Sequence, residues 1–242
     1  MIKRIAMWSG PRNISTAMMR SFQSRGDTFV SDEPMYGHFL SITKTDHPLR
    51  EEVIASMETN RKKLHSYLST FTPSKHSIWY QKQMTQHILI DDNLEWIKNL
   101  SNVFLIRDPK QVILSYLKKF KLEDDSLIGF IQLKRIFDYV INNMDSDPIV
   151  VDANDILRNP SVILNRLCSE LKIPYSDKML SWEKGYRDTD GVWGSHWYDN
   201  VVNTDQFISF KKSEELLPEK YFNIYNKSME IYNELYNYRI KL

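Results

Sequence analysis

The chain has 242 residues, with 32 Lys plus Arg against 31 Asp plus Glu for a formal net charge of +1. That length suits one domain of the larger sort with a substantial buried core, and the near-even charge balance excludes a basic nucleic-acid footprint spread over the whole surface. The single cysteine, Cys168, excludes an internal disulfide; with Leu164, Leu167 and Leu171 around it, it reads as a core thiol in a reducing, cytoplasmic compartment.

No apolar run approaches the length of a membrane span, and the residues before Trp8 are too few for a signal peptide. No Gly/Ser-rich or Pro-rich tract, repeat or break in composition divides the sequence, so residues 1–242 read as one domain.

The first predicted strand, Ile2 to Trp8, runs into Ser9-Gly10-Pro11-Arg12-Asn13-Ile14-Ser15-Thr16 and then into a helix from Ser15 to about Ser24, whose buried face is Ala17, Met18, Met19 and Phe22. First-turn N–H groups have no intrahelical partners, and with the positive end of the helix dipole they favour a phosphate or sulfate. Arg12 adds a forked charge, and the Ser15 and Thr16 hydroxyls add donors. The Gly-Lys-Ser/Thr ending of the nucleoside-triphosphatase loop is missing: Ile14 stands for its glycine and Ser15 for its lysine.

A second strand, Thr28 to Ser31, leads into Asp32-Glu33-Pro34. It places Glu33 beside the mouth of the first loop, where a carboxylate can take a proton; the plainer reading is that Asp32 or Glu33 caps a turn before Pro34. A helix follows from Leu49 to Ser69, with Arg61-Lys62-Lys63 as a solvated face. A third strand, Ser77 to Gln81, puts Lys82 in the loop just past its end, where it can meet anionic oxygens. His87, five residues on, is either an ordinary partly buried histidine or a base.

After a helix from Asp92 to Asn99, the strand Asn102 to Ile106 precedes Arg107-Asp108-Pro109-Lys110 and a helix through Lys119. Arg107 stands at the carboxyl end of that strand, where open parallel sheets bind ligands. Pro109 suits a first helical turn, and Ser115 lies about two turns in. The remaining elements are helices at Asp124 to Asn143, Pro160 to Leu171 and Pro218 to about Tyr238, with a strand at Pro148 to Asp152. The stripe Tyr221, Ile224, Tyr225, Ser228, Ile231, Tyr232 and Leu235 on the last helix reads as packing, with an oligomer contact as the alternative. Trp193, Trp197, Tyr198 and Phe207 either pack the core or line a ligand cavity. Strands alternating with longer amphipathic segments give an α/β fold with four or five parallel strands.

Pro11-Arg12-Asn13-Ile14-Ser15-Thr16 resembles the 5′-phosphosulfate loop of sulfotransferases that use 3′-phosphoadenosine 5′-phosphosulfate (PAPS), where many members carry Pro-Lys-Ser-Gly-Thr-Thr. Arg107-Asp108-Pro109-Lys110, with Val112 and Ser115, resembles that family's Arg-Asn-Pro-Lys-Asp-Val-x-x-Ser, whose arginine and serine hold the 3′-phosphate. The resemblance implies a three-layer, P-loop-like α/β fold with a central, mainly parallel sheet flanked by helices. It implies PAPS as the cofactor, held by Gly10, Pro11, Arg12, Asn13, Ile14, Ser15, Thr16, Arg107 and Ser115, with no metal.

Cytosolic members of the family carry a catalytic histidine two residues after a lysine. Here Met84 stands two residues after Lys82, so the base is left between Glu33 and His87. Arg187 opens a segment that weakly resembles the family's basic Gly-x-Trp loop and is its one candidate contact to the 3′-phosphate. The activity implied is in-line, metal-free transfer of a sulfuryl group to a hydroxyl or amine of a small-molecule or carbohydrate acceptor. A P-loop nucleotide kinase or triphosphatase is one alternative, and a nucleotide-binding protein that has lost transfer is another. No nucleic-acid partner is implied, and the sequence is silent on oligomeric state.

Overall fold

The structure is a computed structural model that describes residues 2–145, 147–210 and 214–241. Five strands form one sheet: β1 (Lys3–Ser9), β2 (Thr28–Asp32), β3 (Ile78–Met84), β4 (Ser101–Ile106) and β5 (Ile149–Asp152). Their spatial order is β2-β3-β1-β4-β5, and every pairing is parallel. The helices are α1 (Ser15–Gln23), α2 (Tyr36–Thr43), α3 (Arg50–Ser56), α4 (Arg61–Thr70), α5 (Pro109–Leu117), α6 (Phe130–Asn143), α7 (Ala153–Arg158), α8 (Pro160–Glu170), α9 (Gly194–Trp197) and α10 (Phe222–Tyr236). Among the described residues no helix is long and apolar enough to cross a membrane.

The two-residue period of the strands sorts their side chains onto two faces. Ile5 and Met7 of β1 pack with Met18, Met19 and Phe22 of α1 and with Ile163, Leu164 and Leu167 of α8, beside the buried Cys168. Ala6 and Trp8 point the other way, into a core built from α4, α5, α6 and α10. The α10 stripe supplies Tyr221, Tyr232 and Leu235 to this second core, so its aromatic face is packing. A smaller cluster of Tyr36, Leu40, Val53, Trp193 and Tyr198 roofs the carboxyl end of β2 and β3.

The predicted helix from Asp92 to Asn99 is only a 3-10 turn over Glu95–Asn99, α2, α7 and α9 were not anticipated, and three further differences have a visible cause. The predicted helix over Leu49 to Ser69 divides into α3 and α4, because Asn60 turns extended and its side chain accepts from the Lys63 amide at 3.1 Å, an N-cap that starts a new helix. The helix predicted from Asp124 begins instead at Phe130, after a 3-10 turn and Gly129 at φ 73°. That left-handed residue ends one turn and opens the next. The third difference matters most for the site: β3 runs on to Met84, so Lys82 lies within the strand rather than in a loop beyond it. Lys82 and Gln83 look like loop residues by polarity, yet each is at most 1% exposed and hydrogen-bonded, which is the condition for burying polar groups.

Candidate functional site

The ends of β1, β2, β3 and β4 meet at the carboxyl edge of the sheet, and all the chemistry gathers there. The turn from β1 to α1 is tight. A Cβ on Gly10 would lie 2.3 Å from the Ile128 carbonyl oxygen, so only glycine lets the turn approach the segment before α6. Arg12 then takes φ 59°, a left-handed conformation costly for a side chain-bearing residue. Asn13 does not cap α1; its amide donates to the Leu105 carbonyl at 2.7 Å and ties the loop to β4. The N-cap Ile14 gives α1 no side-chain cap, and Thr16 and Ala17 of its first turn line a cavity.

That cavity, about 390 Å³, is bounded by Arg12, Thr16, Arg107, Gln111 and Ser115 on the sheet side and by Trp197, Tyr198 and Phe207 opposite. Arg12 Nε donates to Ser115 Oγ at 3.1 Å. Arg107 Nη1 donates to the Arg12 carbonyl at 2.6 Å, and its Nε to Gln111 Oε1 at 3.1 Å. Neither arginine has a carboxylate ion-pair partner among the described residues. Burial pulls both below the usual arginine range, and for Arg107 the neighbouring Arg12 charge adds to the effect. Two adjacent, partly desolvated guanidiniums repel each other, with the charges of Asp108 and Asp152 only partly compensating at Arg107, an arrangement that can accept an anion.

The second half of the site lies across Tyr198. Lys82 is 1% exposed and uses all three of its donors: Asp32 Oδ1 at 2.9 Å, Glu33 Oε1 at 2.6 Å and the Tyr198 hydroxyl at 2.6 Å. The pairing register explains the first contact, since Asp32 and Lys82 are direct neighbours across β2 and β3. Burial pulls Lys82 down, and Asp32, Glu33 and Tyr198 more than offset it, holding the ammonium well above the usual lysine range. Glu33 sits at φ 45° at the end of β2. Burial raises its carboxyl above the ordinary value, with the Asp32 charge adding to the rise and Lys82 only partly opposing it.

His87 follows β3 and lies inside the protein, 2% exposed, stacked on Tyr36 with ring centres 4.5 Å apart and on Phe39 at 5.0 Å. Its Nδ1 has no hydrogen-bond partner and stands 4.0 Å from Glu33 Oε2. Burial, then His47 and Lys82, hold the ring well below its ordinary value, so it is a neutral imidazole. Met84, where cytosolic sulfotransferases carry a catalytic histidine, is buried against the Ser9 hydroxyl at 3.9 Å.

Of the sequence-predicted residues, Arg12, Asn13, Ile14, Thr16, Arg107 and Ser115 come together on the cavity, and Glu33, Lys82 and His87 form the neighbouring cluster. Gly10, Pro11 and Ser15 shape the turn behind them. Arg187 stands outside the cavity lining; its guanidinium donates to the Glu183 carbonyl at 2.6 Å. Trp193 belongs to the roof, while Trp197, Tyr198 and Phe207 line the cavity. Gln111 is a cavity residue that the sequence did not single out, and Asp32 and Tyr198, read there as a turn cap and as one of several aromatics, are partners of Lys82.

The description "Sulfotransferase domain" fits residues 3–236 as a family match. The chain belongs to the sulfotransferase domain family. The sulfotransferase domain of the curacin biosynthetic pathway aligns structurally at a TM-score of 0.54 and 14% identity, covering 94% of this chain and 97% of that one. A sulfotransferase from Alicyclobacillus acidocaldarius aligns at 0.55 and 10% identity over 100% and 98%. These likenesses establish a shared sulfotransferase fold, the three-layer α/β arrangement predicted from the sequence. Two Arabidopsis thaliana proteins called branched-chain-amino-acid aminotransferase-like proteins 1 and 2 are 34% and 30% identical over 231 residues, 96% of this chain. The chain spans 41% of the length of each of these curated relatives.

Proposed function

We propose that the protein transfers a sulfuryl group from PAPS to a hydroxyl or amine of a small-molecule acceptor. The observation that carries this reading is the pair of arginines, Arg12 and Arg107, set without a carboxylate partner against an uncapped helix start, in a chain of the sulfotransferase domain family. The donor set fits a nucleotide with two separated anionic groups. The first-turn amides of α1, with Thr16, suit the 5′-phosphosulfate; Arg107 and Ser115 suit the 3′-phosphate, and Arg12 lies between the two. Trp197, Tyr198 and Phe207 offer apolar rings to the base or the acceptor.

PAPS supplies an activated sulfuryl group, and the protein supplies position and charge. In-line attack on sulfur loads negative charge onto the peripheral and leaving oxygens, which fixed cations and oriented amides stabilise without reorganising. Lys82, buried and charged, is the cation nearest the acceptor side. Between the two candidate bases Glu33 is favoured: its carboxyl is raised toward the working range of a general base, whereas burial makes His87 a poor proton carrier and its ring is closed in by Tyr36 and Phe39.

Calorimetric titration of adenosine 3′,5′-bisphosphate against adenosine 5′-monophosphate tests the reading. Loss of the 3′-phosphate is expected to weaken binding at least about tenfold, the equivalent of 1.4 kcal/mol. Equal affinity for the two would remove the basis for PAPS as donor.

A further inference from the structure

Lys82 is one ammonium facing two carboxylates, and the two are not held alike. Asp32 accepts from Lys82 Nζ at 2.9 Å, from the Tyr198 hydroxyl at 2.6 Å and from the Gly191 amide at 3.4 Å. Glu33 accepts from Lys82 alone among the described residues, and its second oxygen faces the unpartnered His87 Nδ1. Three donors on one carboxylate and one on the other divide their roles, because donors stabilise the charged form.

The clip is itself built in. Tyr198 lies on the segment that follows Asp190, and Asp190 is anchored to α1 by a 2.6 Å ion pair with Arg20, the two side chains 4% and 1% exposed. Gly191 lies against the Trp193 indole, where an added Cβ would come within 2.1 Å of the ring.

We propose that Asp32 and Tyr198 are positioning residues: Tyr198 clips Asp32 onto Lys82, Asp32 serves as the standing counter-ion of that ammonium, and Glu33 is left as the carboxylate that takes the acceptor's proton. The arrangement rests on the sulfuryl-transfer reading for the source of that proton. As the acceptor oxygen or nitrogen bonds to sulfur, its proton passes to Glu33. The bond from sulfur to the bridging oxygen breaks, and the electron pair leaves with the bisphosphate. Lys82 keeps its proton throughout. The other groups facing Glu33 are His87 after β3, Tyr36 of α2 with His47 behind it at 2.6 Å, and Tyr198 itself.

Carbon-13 NMR of side chain-carboxyl-labelled protein tests this without knowledge of the acceptor, the Glu33 signal being assigned by its loss in Glu33→Gln. In Asp32→Asn the ammonium serves Glu33 alone and a like charge is gone, so the Glu33 midpoint falls. In Tyr198→Phe, Asp32 loses its hydroxyl donor and draws Lys82 off Glu33, so the midpoint rises. A merely structural role, in which either change admits water, brings both midpoints down. Opposite shifts support the clip; common downward shifts, or none, overturn it. The rise in Tyr198→Phe is the deciding sign, and that change removes one hydroxyl while keeping the ring. Bisphosphate binding by the unaltered protein is read in parallel: its absence would end the sulfuryl-transfer reading and leave the carboxylate titrations to decide the clip.

Discussion

Arg107 donates from Nη1 to the backbone carbonyl of Arg12 at 2.6 Å, so the arginine at the end of β4 holds in place the loop residue whose own guanidinium reaches Ser115. The two motifs, separated by 95 positions in the chain, are thereby one structural unit.

Replacing Arg107 by Ala removes the proposed charged donor to the 3′-phosphate and the tether on the Arg12 carbonyl. Affinity for adenosine 3′,5′-bisphosphate is expected to fall by about 1.5–3 kcal/mol, the range for hydrogen bonds to charged groups. Calorimetry reads the loss, and unchanged affinity would remove Arg107 from the nucleotide site.

Gly10→Ala is expected to abolish measurable bisphosphate binding while the sheet persists. The added methyl meets the Ile128 carbonyl oxygen at 2.3 Å, and the turn has to open to relieve it. Circular dichroism beside calorimetry separates the two effects.

Asp190→Ala leaves the Arg20 guanidinium buried and unpaired, which costs about 3–5 kcal/mol where a buried pair is broken. At about 2–4 °C per kcal/mol for a chain of this size, the melting temperature drops by roughly 6–20 °C. The pair is nearly sealed from solvent, so high salt is expected to leave this difference largely in place, and a difference lost in salt would contradict it.

Acid sensitivity follows from two histidines. Burial holds His87 well below 6.5 and pulls His65 down to about 4. The unfolded chain takes up protons at both rings once the pH drops below about 6.5, while the folded protein does not, so stability falls as pH is lowered from 6.5 toward 4. Melting temperatures of the parent and His87→Gln across that window give the test: the variant's slope is expected to be shallower, and equal slopes would show that His87 does not carry the effect.

The half of the site proposed to hold the nucleotide was legible in the sequence because its signals are local. A strand, a tight turn and a helix start are contiguous at residues 3–23, and Arg107, Pro109 and Ser115 sit on one strand end and the helix after it. The cluster around Lys82, the proposed acceptor side, was not legible, because it is made by pairing across the sheet. Lys82 reads as a loop residue until β2 brings Asp32 alongside it, 50 positions away, and Tyr198 closes on it from 116 positions away. Nothing in the local pattern around Asp32 distinguishes a buried ion-pair partner from a turn cap before Pro34. The division of the Leu49 to Ser69 segment was hidden for a related reason: its apolar spacing continues through Asn60, and only the cap reveals the break.

Thermal-shift titration with adenosine 3′,5′-bisphosphate, set against ATP and GTP with and without magnesium, addresses the central claim most directly. A ligand that binds only the folded state at 100 times its Kd stabilises by about 2.7 kcal/mol, which at about 2–4 °C per kcal/mol is a shift of roughly 5–11 °C. Stabilisation by the bisphosphate without metal is the expected result. Stabilisation only by a magnesium triphosphate, or by none of the nucleotides, would contradict the assignment of Arg12, Arg107 and Ser115 to a PAPS site.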